Sequence, residues 1–299
     1  MPEYPDVTLY VEALVSHVAG QRLERARVKS PYLLRSVEPA LSAVEGRRVL
    51  GARSLGKRVV LDLEDDLHLV FHLMVTGRLR WRDRGVAVPK KYGHAAFDFE
   101  TGALLLTEMG SKKRASLHVV RGDDALLALD PGGLDLFAID LAAFAEALSD
   151  GNHTLKRALT NPHRLSGIGN AYSDEILHHA GLSPLQLTQN LSDAELARLF
   201  ESTKTVLTAW TDKLRTALDG AFPEKVTAFR DGMAVHGRYR EPCPKCEAPV
   251  QRIVYADNEV NYCARCQTGG KVLADRALSR LLKRDWPRSL DEWEEMRSK

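Results

Sequence analysis

The chain is 299 residues long, with 44% hydrophobic and 27% charged residues and a net charge of +2. These values describe an ordinary soluble protein with room for two sizeable cores. No apolar run approaches the length of a membrane span, and no apolar signal segment opens the chain. The near-balance of charge neither requires nor excludes a nucleic-acid partner, because what matters is whether the cations share one face.

In chain order, Val7, Tyr10, Val11, Leu14, Val15 and Val18 recur at i, i+3, i+4 spacing and stop before Gly20. This predicts an amphipathic helix with Asp6 as N-cap. From Arg22 to about Val120 the pattern changes to short alternating runs, at residues 59–63, 67–73, 78–81, 95–99 and 104–107. Such punctuated strands predict a β-sandwich or barrel. After Asp123 the helical pattern returns at 126–129, 141–148 and 154–159. A longer helix opens at the capping box Ser192-Asp-Ala-Glu195 and runs to about Leu218. Between these lies Gly167-Ile-Gly169-Asn170-Ala-Tyr-Ser-Asp-Glu. A glycine turn feeding a helix presents backbone N–H groups that suit a phosphate, although on its own the pattern is more often plain turn chemistry.

The four cysteines form two C-x2-C pairs, Cys243-Pro-Lys-Cys246 and Cys263-Ala-Arg-Cys266, sixteen residues apart. That is zinc-ribbon spacing: each pair grips one side of a tetrahedral ion from a tight turn, and the interval has the length of a hairpin. Four thiolates leave no open coordination position, so one structural zinc is expected and the chemistry must lie elsewhere. Two disulfides in a secreted chain are the alternative, which the missing signal segment and the chain length oppose. Metal-ready thiols favour a reducing compartment, hence the cytoplasm. Beyond Cys266, residues 274–286 and 290–296 predict one or two short helices packed on the body.

Cations recur at the ends of predicted elements: Lys57 and Arg58; Arg78, Arg80, Arg82 and Arg84; Lys112, Lys113 and Arg114; Arg238 and Arg240. Any one group reads as solvated surface. Their recurrence beside a zinc hairpin points to a phosphate-facing groove.

With Pro2-Glu3 at its start, then Gly56-Lys57-Arg58, Gly167-Ile-Gly169-Asn170-Ala-Tyr-Ser-Asp-Glu and the paired cysteines in that order, the chain resembles the formamidopyrimidine-DNA glycosylase / endonuclease VIII family over residues 1 to about 268. The resemblance implies an α+β multidomain fold. It comprises an N-terminal helix plus β-sandwich catalytic domain (1–125), a helix-two-turns-helix DNA-binding domain (126–230), a C-terminal zinc-ribbon β-hairpin (231–268) and a helical extension (269–299). It further implies a monomer in which two lobes face each other across a DNA groove, on damaged or abasic DNA, with no membrane partner.

The implied activity is that of a bifunctional DNA glycosylase and abasic-site lyase. Once Met1 is removed, Pro2 carries a secondary amine; such terminal amines titrate at about 7.7–8.0, so part is nucleophilic at neutral pH. Attack on C1′ of a deoxyribose expels the base and leaves an iminium, the electron sink for β- and δ-elimination. Glu3 would shuttle protons. Lys57 and Asn170 resemble the family's phosphate-binding lysine and asparagine, and His72 its histidine near the lesion.

Three departures stand out. Val75 occupies the place of the methionine wedge, with Met74 one position off. The segment 108–116 lacks the wedge arginine and phenylalanine. Asn258 stands where the zinc hairpin has an arginine, with Arg252 or the 112–114 loop as substitutes. An altered lesion choice is therefore expected, or a preference for single-stranded, bubble or abasic DNA. The competing readings are a DNA-binding scaffold that has lost catalysis and a zinc-ribbon RNA-binding protein, the latter leaving Pro2-Glu3 and the glycine turn without explanation.

Overall fold

The computed structural model describes residues 1–255, 258–287 and 289–298. It divides into two compact units, one of residues 1–132 with 208–228 and one of residues 133–207 with 229–299.

The first unit opens with helix α1 (Tyr4–Val18). The helix starts three residues earlier than expected: Glu3 is the N-cap and Asp6 lies one turn in, its carboxylate accepting the Glu3 N–H at 2.9 Å. Val7, Tyr10, Leu14 and Val18 are buried, whereas Val15 is exposed, so the apolar stripe is narrower than its sequence pattern. The strands are β1 (Leu23–Val28), β2 (Val49–Leu55), β3 (Arg58–Leu63), β4 (Leu67–His72), β5 (Gly77–Arg82), β6 (Gly93–Phe99), β7 (Ala103–Glu108) and β8 (Ser116–Arg121). They form two antiparallel four-stranded sheets, ordered β1-β6-β7-β5 and β2-β3-β4-β8.

Alternation explains the sandwich. Val59, Leu61 and Leu63, then Leu67, Leu69 and Phe71, face one core together with Phe97, Phe99, Leu104 and Leu106 of the other sheet. Phe71 meets Phe97 edge-on at 5.2 Å between ring centroids. The intervening Val60 and Val70 point outward to Leu126 of the short helix α2 (Asp123–Leu127). The chain returns to this unit over residues 208–228. Phe222 stacks against Trp81, the Arg82 guanidinium binds both oxygens of Glu224, and Arg78 Nε donates to the Val226 carbonyl at 2.7 Å.

The second unit contains α3 (Leu141–Ser149), α4 (Leu155–Thr160) and α5 (Asn170–Ala180). Most of α6 (Asp193–Leu218) follows; its residues from 208 onward belong to the first unit. The unit ends in the hairpin β9 (Gln251–Tyr255) and β10 (Asn258–Tyr262), then α7 (Ala264–Thr268), α8 (Arg276–Leu282) and α9 (Leu290–Ser298). The capping box is formed: Glu195 N–H donates to Ser192 Oγ at 3.3 Å and Ser192 N–H donates to Glu195 Oε2 at 2.9 Å.

The segment after Cys266 is part of the hairpin's own core. Val272, Leu290 and Trp293 are buried with Val250, Ile253, Val260 and Tyr262. The Leu273 N–H donates to Tyr262 Oη at 2.7 Å, and Asp275 accepts the Val254 N–H at 2.8 Å, covering the free edge of β9.

Replacing Ser192 by Ala removes one partner of the capping box. Denaturant unfolding is expected to show a loss of about 1 kcal/mol, with the m-value unchanged.

Candidate active site and metal centre

Pro2 and Glu3 are both buried at the start of α1. With Met1 attached, the Pro2 nitrogen is a peptide nitrogen and has no nucleophilic lone pair. The amine of Met1 sits one residue before it and reports on the surroundings. Burial pulls its pKa below the ordinary value, Arg78 and Lys57 push it further down, and Glu3 and Asp6 oppose them. The chain start, two carboxylates and two cations are thus within electrostatic reach of one another.

Lys57 arrives there because β2 and β3 close through the two-residue loop Gly56-Lys57, with Leu55 paired to Arg58. Gly56 takes φ of +60°, which suits such a turn. Lys57 is half-buried, and burial lowers its pKa against the opposing attraction of Glu3. His72 lies across β3 from Arg58 and beside Ser116 of β8. Burial, then Arg58, Lys57 and His118, pull its pKa down to about 4. His72 is therefore a neutral imidazole at neutral pH, able to offer one N–H but no charge. Pro2, Glu3, Lys57 and His72 all belong to the first unit.

Two loops extend from the same sandwich. The turn 73–77 is set by Gly77, whose N–H donates to the Leu73 carbonyl at 2.9 Å; a Cβ there would stand 2.3 Å from that oxygen. Met74 is half-buried with φ of +52°, and Val75 at the tip is 55% exposed. On the loop after β7, Met109 is 67% exposed. Glu108, fully buried, braces both loops: it accepts Thr76 Oγ1 at 3.3 Å and the Arg114 N–H at 3.0 Å, and pairs with His94 Nε2 at 3.2 Å. Val75 is thus the apolar tip of one loop and Met109 that of the neighbouring loop. The brace was not legible in sequence, because Glu108, Thr76 and His94 come from three separate runs.

Asn170 begins α5 in the second unit, after Gly167 at φ of +84° and the N-cap Gly169. Its Nδ2 donates to the Glu259 carbonyl of β10 at 3.0 Å, so the glycine turn is tied to the hairpin. Sequence reading missed the groups beneath it. Lys156 Nζ donates to the Asn170 carbonyl at 2.7 Å and to Asp174 Oδ1 at 2.6 Å. Asp174 Oδ2 accepts from His236 Nδ1 at 2.8 Å and from the Asn261 N–H at 3.2 Å. Glu175 accepts the backbone N–H groups of Ala234, Val235 and His236 at 2.7, 2.9 and 2.9 Å. Asn258 is exposed at the start of β10, while Arg252 pairs with Glu259 at 3.3 Å and lies over the Tyr239 ring.

The four cysteines converge as the spacing predicts. Their sulfurs all lie within 4.8 Å of one another, and no disulfide joins them. Cys243 and Cys266 are 3.9 Å apart, and Cys246 and Cys263 are 3.4 Å apart. A tetrahedron with zinc–sulfur bonds of about 2.3 Å needs sulfur separations of about 3.8 Å, so the set fits a zinc ion. The N–H of Lys245 points at Cys243 Sγ and that of Cys266 at Cys263 Sγ, each at 3.4 Å, as metal-bound thiolates require of their surroundings.

The expected phosphate-facing cations divide. Arg80 and Arg82 are held by Glu224, Arg84 by Glu24 and Arg238 by Glu241, so much of that series serves ion pairs within the fold. Lys112, Arg114 and Arg240 are exposed.

Three family models match the chain in succession: the formamidopyrimidine-DNA glycosylase N-terminal domain over residues 1–113, its H2TH domain over 127–216, and a zinc finger found in FPG and IleRS over 240–269. The formamidopyrimidine-DNA glycosylase of Heliobacterium modesticaldum is 30% identical over 283 residues, covering 89% of this chain and all of that one. The chain belongs to the formamidopyrimidine-DNA glycosylase family. An uncharacterized formamidopyrimidine-DNA glycosylase-like protein of Mycobacterium tuberculosis is 42% identical over 156 residues, covering 52% of this chain and 95% of its own. Among solved structures, the Fpg protein of Thermus thermophilus superposes with a TM-score of 0.75 at 29% identity, covering 89% of this chain and 98% of that one. Lactococcus lactis Fpg, solved with abasic-site DNA, gives 0.78 at 23% identity over 89% of this chain and 99% of that one, a likeness of fold. Within the family frame, residues 270–299 lie beyond all three matched models.

The folded pKa of His72 lies below its unfolded value of about 6.5, so the unfolded chain takes up this proton first. Its contribution to stability is therefore complete above pH 6.5 and is lost as pH falls towards 4. Imidazole NMR titration is expected to place the His72 midpoint near 4, and His72→Gln to flatten part of the loss of stability between pH 6.5 and 4.

Proposed function

We propose that this chain is a bifunctional DNA glycosylase and abasic-site lyase of base-excision repair, with Pro2 as nucleophile after removal of Met1. The observation that supports the reading is the burial of Pro2 and Glu3 at the start of α1, with Glu3, Arg78, Asp6 and Lys57 all in electrostatic reach of the chain start. An uncharged secondary amine at Pro2 has a lone pair to offer C1′ of the damaged nucleotide. As the C–N bond forms, the glycosidic bond breaks and the base leaves with a proton. The sugar ring then opens, and Glu3 would protonate the ring oxygen. The resulting iminium is cationic at any pH, so loss of the C2′ proton expels the 3′ phosphate. A second elimination releases the 5′ phosphate, and water returns Pro2.

Lys57 and His72 would hold phosphates beside the damaged nucleotide, Lys57 as the cation and His72 as a neutral N–H donor. Asn170 would hold another phosphate from the turn before α5. Its present bond to Glu259 uses one amide hydrogen and leaves the second for that contact. One zinc ion on Cys243, Cys246, Cys263 and Cys266 would be structural. The partition into catalytic (1–125), DNA-binding (126–230), zinc-finger (231–268) and extension (269–299) segments belongs to this proposal. So do a monomeric state and a cytoplasmic, nucleoid-associated location; among the described residues no helix is long and apolar enough to cross a membrane.

A second reading, a damaged-DNA-binding protein with weak or no catalysis, is favoured by exposed, uncharged Asn258 and by Arg252 being paired with Glu259. A neutral amide forfeits one charge-assisted phosphate contact, and Val75 fills less of an emptied base stack than a methionine.

Borohydride reduction in the presence of an abasic-site oligonucleotide separates the two. The native chain is expected to form a covalent adduct, and a version that retains a residue before Pro2 none. Tight binding without any adduct would support the scaffold. Across a lesion panel, excision is expected to be faster from single-stranded or bubble DNA than from duplex. Efficient removal of 8-oxoguanine opposite cytosine in duplex DNA would contradict the altered lesion choice.

A further inference from the structure

The four-cysteine cluster rests against the C-terminal end of α5, and one side chain there has no part in the proposed chemistry. His178 is 2% exposed, and its Nε2 lies 3.2 Å from the Sγ of Cys243, itself 1% exposed. It is not a fifth ligand: among the described residues, the ligand atoms lying within 4.8 Å of one another are the four thiols alone.

The geometry points to His178 as an N–H donor to the Cys243 thiolate, a positioning residue that fixes the metal centre to the helix carrying the glycine-turn asparagine. This rests on the reading that the thiols bind zinc. Four thiolates around one dication leave two net negative charges in a largely buried place, and each hydrogen-bond donor aimed at sulfur offsets part of that cost. Cys243 receives two such donors, the Lys245 N–H at 3.4 Å and His178.

The contact is reciprocal. Lys245, between the first two cysteines, sends its Nζ to the carbonyls of His178 and His179, at 3.4 and 3.2 Å, at the C-terminal end of α5 where the helix dipole favours a cation; the His178 carbonyl also takes the Gly181 N–H at 3.1 Å. A second strut runs alongside: Gln267 accepts the Cys263 N–H at 2.8 Å and donates to the Leu182 carbonyl at 2.9 Å. The helix thus gives an N–H to the cluster, and the cluster returns a cation to the helix.

Three proteins test the assignment: wild type, His178→Phe, which keeps a ring but has no donor, and His178→Gln, which keeps an N–H. Metal analysis of the wild type comes first, because a chain without zinc would overturn the zinc reading itself rather than the role of His178. With one zinc per chain, release to a chromophoric chelator is expected to be about ten- to a hundredfold faster in the Phe variant, with Gln restoring much of the difference. In cobalt-substituted protein, the sulfur-to-cobalt charge-transfer band is expected to move to lower energy in the Phe variant, since a thiolate without its hydrogen bond gives up an electron more easily. An unchanged release rate would overturn the assignment. So would faster release with an unmoved band and no rescue by Gln, because that pattern reports packing alone.

Discussion

The start of this chain is held in place by packing. Helix α1 is fixed to the sandwich by Tyr10, Leu14 and Val18, all fully buried. Burying side chains of this size contributes about 1.5–3 kcal/mol each, whereas an N-terminal cap contributes about 1. Packing, more than capping, therefore decides where the helix begins and hence where Pro2 and Glu3 stand. The strands that pack beneath α1 also carry Lys57 at a hairpin tip and His72 at a strand end, so one core positions all four side chains.

The second unit relies on buried carboxylates instead. Asp174 and Glu175, adjacent on α5, take hydrogen bonds from Lys156, His236, Asn261 and three successive backbone N–H groups. Removing one partner of a buried charge pair costs about 3–5 kcal/mol, well above the 1 kcal/mol or so of a neutral contact such as that of Asn170 with Glu259. The joint between the glycine turn, α5 and the hairpin therefore depends on Asp174 more than on the asparagine whose sequence context announced it. The thiol cluster and the 269–299 extension close the other end of this unit around Tyr262 and Trp293.

What was legible in the sequence followed from local periodicity and fixed spacing. The two-residue alternation of 59–63 and 67–73 yields strands, Ser192 with Glu195 yields the long helix, and two C-x2-C pairs yield one sulfur cluster. Strands β1 and β2 were less visible because most of their residues are only partly buried or exposed and charged side chains sit among them. The cations misled for a related reason: charge is readable in sequence but its partner is not, and Glu224, some 140 residues from Arg80 and Arg82, binds both of them. Buried polar joints such as Lys156 with Asp174, or Glu108 with Thr76 and His94, have no sequence period at all and emerge only when the chain folds.

The account stands or falls on the nitrogen of Pro2 being the atom that bonds to the sugar. Protease digestion of a borohydride-reduced protein–DNA adduct, followed by mass spectrometry of the nucleotide-bearing peptide, locates that atom directly. The account predicts that the modified peptide begins at Pro2 and that fragmentation leaves the nucleotide remnant on its first residue. A remnant on Lys57 or any other lysine would contradict it.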